Sequence, residues 1–225
     1  MDFETLVQER RSIRGYKSDP VPRAVIDEVI AIAKHAPPSM NTQPWHFHVI
    51  TGEPLECIRR GYTERMMAGA SVDREIKMGH GYEGVHRKRQ VAIAVQLFEA
   101  MGIERDDKAG RQDWVMRGFR QFDAPVSIVM TIDKELAEDT VSHFDLGAAT
   151  YGLVLAAWTK GLGSVINGQG IMQSSVVREF AKIPDDEIIM TCVAMGYPDD
   201  GFVANDVKPV REANDDVVSY VGFDD

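Results

Sequence analysis

The sequence predicts an α+β protein, a single domain over residues 1–225 with helices layered around a modest sheet. Three observations point there. Apolar runs of strand length fall at 47–51, 124–133, 163–167 and 187–198, separated by helical patterns of unequal length. Strands and helices do not alternate strictly, so a parallel sheet of regular βαβ units is not expected. No internal repeat, low-complexity tract or linker divides the chain.

Taken in order, Asp2 is a good N-cap for a first helix with Phe3, Leu6, Val7 and Arg10 on one face. That helix ends near RRSIRGY at 10–16. SDPVP (18–22) is a rigid connector whose last proline suits the first turn of a second helix, where Val25, Ile26, Val29, Ile30 and Ala33 form a stripe. APPSMNTQPW (36–45) carries three prolines and cannot be regular structure. FHVIT (47–51) follows as a strand.

Residues 53–121 read as mostly helical but irregular, broken by Gly79, Gly81 and Gly84, with an amphipathic helix at 91–103. APVSIVMTID (124–133) is a buried strand whose proline stands at the start, where a missing donor is tolerated. Asp139 or Thr140 caps a long helix through Trp158, apolar nearly all round and therefore central to a core or an interface. A short strand (163–167), a short helix (174–182) and the strong strand EIIMTCVAMGYP (187–198) complete the set. From Asn205 the chain is polar, then ends in VVSYVGF before Asp224 and Asp225.

Hydrophobic content of 44% and charged content of 27% over 225 residues fit a folded globular chain. Lys plus Arg is 25 against 35 Asp plus Glu, a net charge of −10, which opposes nucleic-acid binding through a broad basic face. Any anion must be held by a local cluster. Cys57 and Cys192 are expected to be small buried thiols in a reducing compartment. The opening MDFETLVQERR is unlike a secretory signal, and the apolar run 144–158 is interrupted and too short for a comfortable membrane span. A soluble cytoplasmic protein is expected.

GLGSVINGQG (161–170) has glycines, but not at dinucleotide-fingerprint spacing, and Gly161 follows a helix instead of opening one. The later pair differs: NGQG leaves a strand for a short helix, so it is either an ordinary turn or a close backbone approach to a flat ligand. His46 and His48 share a strand face but lack a carboxylate or cysteine at ligand spacing, so no metal is expected. No G-x-S-x-G elbow occurs. For the arginines two readings compete. Arg10 and Arg11 can complement the dipole at a helix end, whereas Ser12 and Arg14 lie beyond it and suit a phosphate, which guanidinium forks match. Lys208 and Arg211 form a second basic pair in an acidic stretch.

RRSIRGY, the P-V-P connector, the amphipathic helix and APPSMNTQPW together resemble the opening of the FMN-dependent nitroreductases. G-L-G before a strand, M-G-Y-P at a strand end and the late K-x-x-R extend the resemblance over essentially the whole chain. GVHRKRQVAIAVQLFEAMGIERDD and FRQFDAPV look like the nitrobenzoate and nitroaromatic reductase branch.

The resemblance implies a mixed, mainly antiparallel sheet surrounded by helices, in an intertwined homodimer with FMN at the subunit interface. It implies phosphate and ribityl contacts from Arg10, Ser12, Lys208 and Arg211, with Arg11 in the same cluster, and Arg14 toward the flavin pyrimidine edge. Pro38, Ser39, Met40, Asn41 and Gln43 would meet the flavin of the other subunit. Asn167, Gly168, Gln169 and Gly170 would lie near flavin N5, offering the N–H of Gln169 or Gly170. Trp45, Tyr62, Tyr82 and Phe119 are candidate aromatic walls for substrate, with core packing the more ordinary role for any one of them. Residues 60–120 would be a helical excursion near the substrate, and 205–225 an extension packing on the partner. The implied reaction is ping-pong reduction by NAD(P)H of nitroaromatics, through nitroso to hydroxylamine or amine, and of quinones. The alternatives are reductive dehalogenation, an ene-type reduction on the same fold, or a non-catalytic flavin-binding protein.

Overall fold

The computed structural model describes residues 1–77, 79 and 81–223; Asp224 and Asp225 lie outside them. The helices are α1 (Phe3–Glu9), α2 (Arg23–Ala33), α3 (Gly52–Met67), α4 (Gly84–Ala100), α5 (Lys108–Phe119), α6 (Thr140–Thr159), α7 (Ser174–Ala181) and α8 (Asn214–Val217). Asp2 starts α1 by accepting the Thr5 N–H at 2.9 Å, and Asp139 starts α6 by accepting those of Val141 and Ser142. Such caps are worth about 1 kcal/mol each. The irregular 53–121 stretch resolves into α3, α4 and α5. The helix expected from residue 91 begins earlier, at Gly84.

Strands β1 (Trp45–Thr51), β2 (Val126–Asp133), β3 (Gly163–Ile166) and β4 (Glu187–Gly196) form one sheet in the order β1-β2-β4-β3. Each ladder is antiparallel, and β1 pairs with β2 from Trp45–Ile132 to Thr51–Val126. The mixed character expected of the sheet comes from an isolated parallel bridge between Ser12 and Ser164.

Side chains alternate across a strand, so the buried β2 serves two cores. Ile128, Met130 and Ile132 pack with Val29 and Ala33 of α2 and with Leu146, Ala149 and Leu153 of α6. On the opposite face Val129, Ile189 and Cys192 meet Leu55, Ile58 and Tyr62 of α3 and Val176 and Val177 of α7. Fully burying one such side chain contributes about 1.5–3 kcal/mol. The sheet is thereby held between α2/α6 and α3/α7, leaving its β3 edge for the N-terminal segment.

Two expectations change. Phe3, placed on the inner stripe of α1, is exposed, while Leu6 carries the burial. Cys57 is only partly buried on α3, whereas Cys192 lies in the core and burial pushes its thiol up to about 12. No helix among the described residues is long and apolar enough to cross a membrane.

Candidate functional site

The chain leaves α1 at Arg10, whose N–H still donates to the Leu6 carbonyl, and then runs along the β3 edge of the sheet. Ile13 N–H donates to the Ser164 carbonyl at 3.0 Å, and Lys17 N–H to the Tyr197 carbonyl at 2.9 Å. The Tyr16 hydroxyl donates to the Ile13 carbonyl at 2.6 Å. Asn205 completes the fixation. Its Oδ1 accepts the N–H groups of Arg14 at 2.7 Å and Gly15 at 3.1 Å, while Nδ2 donates to the carbonyls of Gly15 and Asp199. Gly15 is required because a Cβ there would overlap the Phe202 ring.

This placement brings the two basic clusters together. Arg10, Arg11, Lys208 and Arg211 line one cavity of about 520 Å³ with Val7, Gln8, Pro209 and Tyr151 of α6. Arg10 Nε is buried without a hydrogen-bond partner. Burial pulls the Arg10 guanidinium below its ordinary value; Tyr151 opposes that effect and the Arg211 charge adds to it. A cation in this state is stabilised by an anion.

Arg11 is already partly committed: Nε donates to the Asn205 carbonyl at 2.5 Å, Nη2 reaches Asp206 at 3.4 Å, and the guanidinium lies 5.5 Å from the Trp158 ring centroid. It ties down the returning C-terminal segment as well as lining the cavity. Ser12 and Arg14 sit beyond the cavity lining, along the β3 edge. Arg14 is half-buried, burial lowers its pKa, and among the described residues no carboxylate pairs with it. Its Nη1 donates to the Ser12 carbonyl at 3.3 Å.

The segment holding Pro38, Ser39, Met40, Asn41 and Gln43 does not line this cavity. It turns through a 3₁₀ element (Ser39–Asn41) with Met40, Asn41 and Gln43 all in the left-handed region. The buried Asp145 of α6 secures it, accepting the Ser39 N–H at 2.9 Å. Met40 is 95% exposed, so the loop presents itself outward.

Asn167 leaves β3 buried and organises the 167–170 turn. Its Oδ1 accepts the Gln169 N–H at 3.1 Å, its carbonyl accepts the Gly170 N–H at 3.2 Å, and its Nδ2 donates to the Gly118 carbonyl at 2.8 Å. The two amides expected to face a ligand therefore already donate within the turn. The exposed residue of the four is Gly168, with open space around its Cα.

The candidate aromatic walls divide by burial. Trp45, Tyr62 and Phe119 are core side chains, and the Tyr62 hydroxyl accepts the Gln173 N–H at 3.0 Å. Tyr82 is exposed. His46 and His48 do gain carboxylates that linear spacing could not reveal, pairing with Asp133 at 3.0 Å and Glu187 at 2.6 Å across the sheet. No group of three or more metal-type ligands is gathered among the described residues.

The sequence signals singled out the arginines but missed Asn205, Asp145 and Tyr151. An Asn-Gly-Gln order is itself an Asx-turn signal, and could have placed the Asn167 side chain on the Gln169 amide.

The nitroreductase family model matches residues 7–197. The chain is 31% identical over 224 residues to the chloronitrobenzene nitroreductase of Comamonas testosteroni, covering 97% of this chain and 96% of that one. It is 30% identical over 225 residues to the 4-nitrobenzoate reductase of Pseudomonas putida, with 99% and 97% covered. Its fold matches the crystal structure of the FMN and NADPH-dependent nitroreductase NfnB from Sphigopyxis sp. strain HMH with a TM-score of 0.93, 27% identity, and 99% and 100% covered. Matched by the family model over most of its length and at 30% identity or more by whole-chain relatives, the chain belongs to the nitroreductase family.

Proposed function

We propose that this protein is an NAD(P)H-dependent FMN oxidoreductase that reduces nitroaromatic compounds, and quinones by the same route. The observation that carries the reading is the cavity where Arg10, Lys208 and Arg211 converge, with Arg10 Nε buried and unpaired. A phosphate monoester fits: it brings nearly two negative charges and acceptor oxygens that suit guanidinium forks. Arg10, Lys208 and Arg211 hold that phosphate, Arg11 and Ser12 border it, and Arg14 lies toward the pyrimidine edge. The 167–170 turn lies beside N5, with Gly168 as its open position.

FMN, when bound, supplies hydride acceptance from the nicotinamide and hydride delivery to the acceptor. The chain's own task is to align two planar molecules in turn and to stabilise charge, so no side-chain nucleophile is required. A nitro group that takes up two hydride equivalents and two protons, and loses one water, becomes the hydroxylamine.

The active form is an intertwined homodimer. Val141, Phe144 and Tyr151 of α6, together with Met40, stand exposed, as do Val217, Tyr220, Val221 and Phe223 of the tail. Apolar surface of that extent is characteristic of an interface. In this arrangement Pro38, Ser39, Met40, Asn41 and Gln43 approach the flavin of the partner. The 205–225 extension first packs on its own subunit through Asn205, Lys208, Arg211 and Glu212, and only the tail beyond them packs on the partner's surface. The excursion spanning 60–120 borders the substrate, and the protein resides in the cytoplasm.

Visible spectra test donor, cofactor and acceptor together. Purified protein is expected to be yellow, to bleach anaerobically with NADPH or NADH, and to regain colour with a nitroaromatic. Colourless protein that takes up no FMN would overturn the reading. Halide release from a halophenol without nitro reduction would move it to dehalogenation.

A further inference from the structure

We infer that Arg117 is a positioning residue that sets the charge at the flavin pyrimidine edge; this rests on FMN being held as proposed above. Arg117 lies in the last turn of α5. Its Nη2 donates to the Arg14 carbonyl at 3.4 Å, and its guanidinium lies 4.8 Å from the Phe202 ring centroid. Phe202 is the ring that packs against Gly15, so the glycine of RRSIRGY admits the platform on which Arg117 rests. Arg117 Nε is buried with no hydrogen-bond partner. Among the described residues neither Arg117 nor Arg14 has a carboxylate within ion-pair distance.

Leaving two neighbouring guanidinium-bearing residues without a counter-charge is costly, and this chain has carboxylates in surplus. Such an arrangement is favourable when negative charge arises beside it. The oxidised flavin ring is neutral, whereas its reduced anion would carry charge at the N1–C2=O edge toward which Arg14 would lie in the reading above. Arg117 therefore favours the reduced cofactor, through its own charge and through its hold on the Arg14 backbone.

The same turn also reaches the other side of the site. Gly118 accepts from Asn167 Nδ2 at 2.8 Å, and the Val115 carbonyl from Gln169 Nε2 at 3.4 Å. A Cβ at residue 118 would overlap the Gln169 amide. The end of α5 is thus a strut between Arg14 and the 167–170 turn.

The test uses FMN-loaded protein, with binding followed by flavin fluorescence and midpoint potential by dye equilibration. Arg117→Gln is expected to weaken binding of reduced relative to oxidised FMN about tenfold, which for a two-electron couple is ~30 mV. Arg117→Lys is expected to retain most of the potential, and Arg117→Met, which keeps the apolar stem over Phe202, substitutes if Arg117→Gln does not fold. Wild-type protein that binds FMN, with the potential unchanged in the neutral variants, would overturn the role of Arg117. Equal losses in Arg117→Lys and Arg117→Gln would overturn the charge argument. Wild-type protein that binds no FMN would instead overturn the cofactor reading.

Discussion

Asn205 and Gly15 are joined in both directions: the Asn205 amide donates to the Gly15 carbonyl at 2.9 Å and accepts the Gly15 N–H at 3.1 Å. The side chain thereby replaces a missing strand, pairing with backbone as a sheet neighbour would, and it also accepts the Arg14 N–H. Asn205→Ala removes these partners from a buried place. An unsatisfied buried group costs about 1–3 kcal/mol, so a total loss of roughly 2–4 kcal/mol is expected in urea unfolding. FMN retention should fall as well, because Arg14 loses its backbone anchor.

The cavity arginines should separate by role. Arg10→Ala and Arg211→Ala each remove a charge-assisted contact and are expected to weaken FMN binding roughly tenfold to a hundredfold. Arg11→Ala should lower stability more than affinity, since its guanidinium is spent on Asn205 and Asp206. Arg14→Ala should lower both affinity and reduction potential. Flavin fluorescence titration over a salt series measures the four affinities, urea unfolding the stability of Arg11→Ala, and dye equilibration the potential of Arg14→Ala.

Phe144 is 78% exposed on α6, an apolar ring that a lone subunit would leave in water. If the proposed homodimer forms, Phe144→Glu is expected to convert it to monomer in light scattering after size exclusion. Flavin should then be lost even though the cation cavity is intact, because the partner's loop no longer reaches it.

Glu187 gives a pH prediction. Burial pushes its carboxyl up, but the Thr131 hydroxyl and His48 outweigh that and hold it below the usual carboxylate range. A depressed folded value means stabilisation present above the unfolded pKa, about 4.3, and lost as pH falls through the folded value. Glu187→Gln should therefore be less stable at pH 7 and show a flatter decline between about pH 5 and 3. Urea midpoints measured against pH test this.

The fold was legible where local chemistry and periodicity agree. Asp2 and Asp139 are caps whose partners lie within three residues, and β2 and β4 announce themselves as unbroken apolar runs. The arginines were legible as a cluster with too many cations for a helix end. What joins them was not. Asn205 is a lone polar residue in a polar segment, and its partners Arg14 and Gly15 lie about 190 positions away. Phe202 and Gly15 fit by shape, which no spacing encodes. Trp45, Tyr62 and Phe119 read first as core residues and second as substrate walls, because an aromatic ring carries the same pattern in either place.

The cation cavity takes Arg10 from one end of the chain and Lys208 and Arg211 from the other. During synthesis the first arginine leaves the ribosome long before its counterparts exist, and the pocket forms only when the long loop from Arg10 to Lys208 closes. If the cavity holds the flavin phosphate as proposed, its capture waits for residues 208–211. Under the reading proposed above, a phosphate held there reports that Arg10 and the 208–211 segment have found the same edge of the sheet.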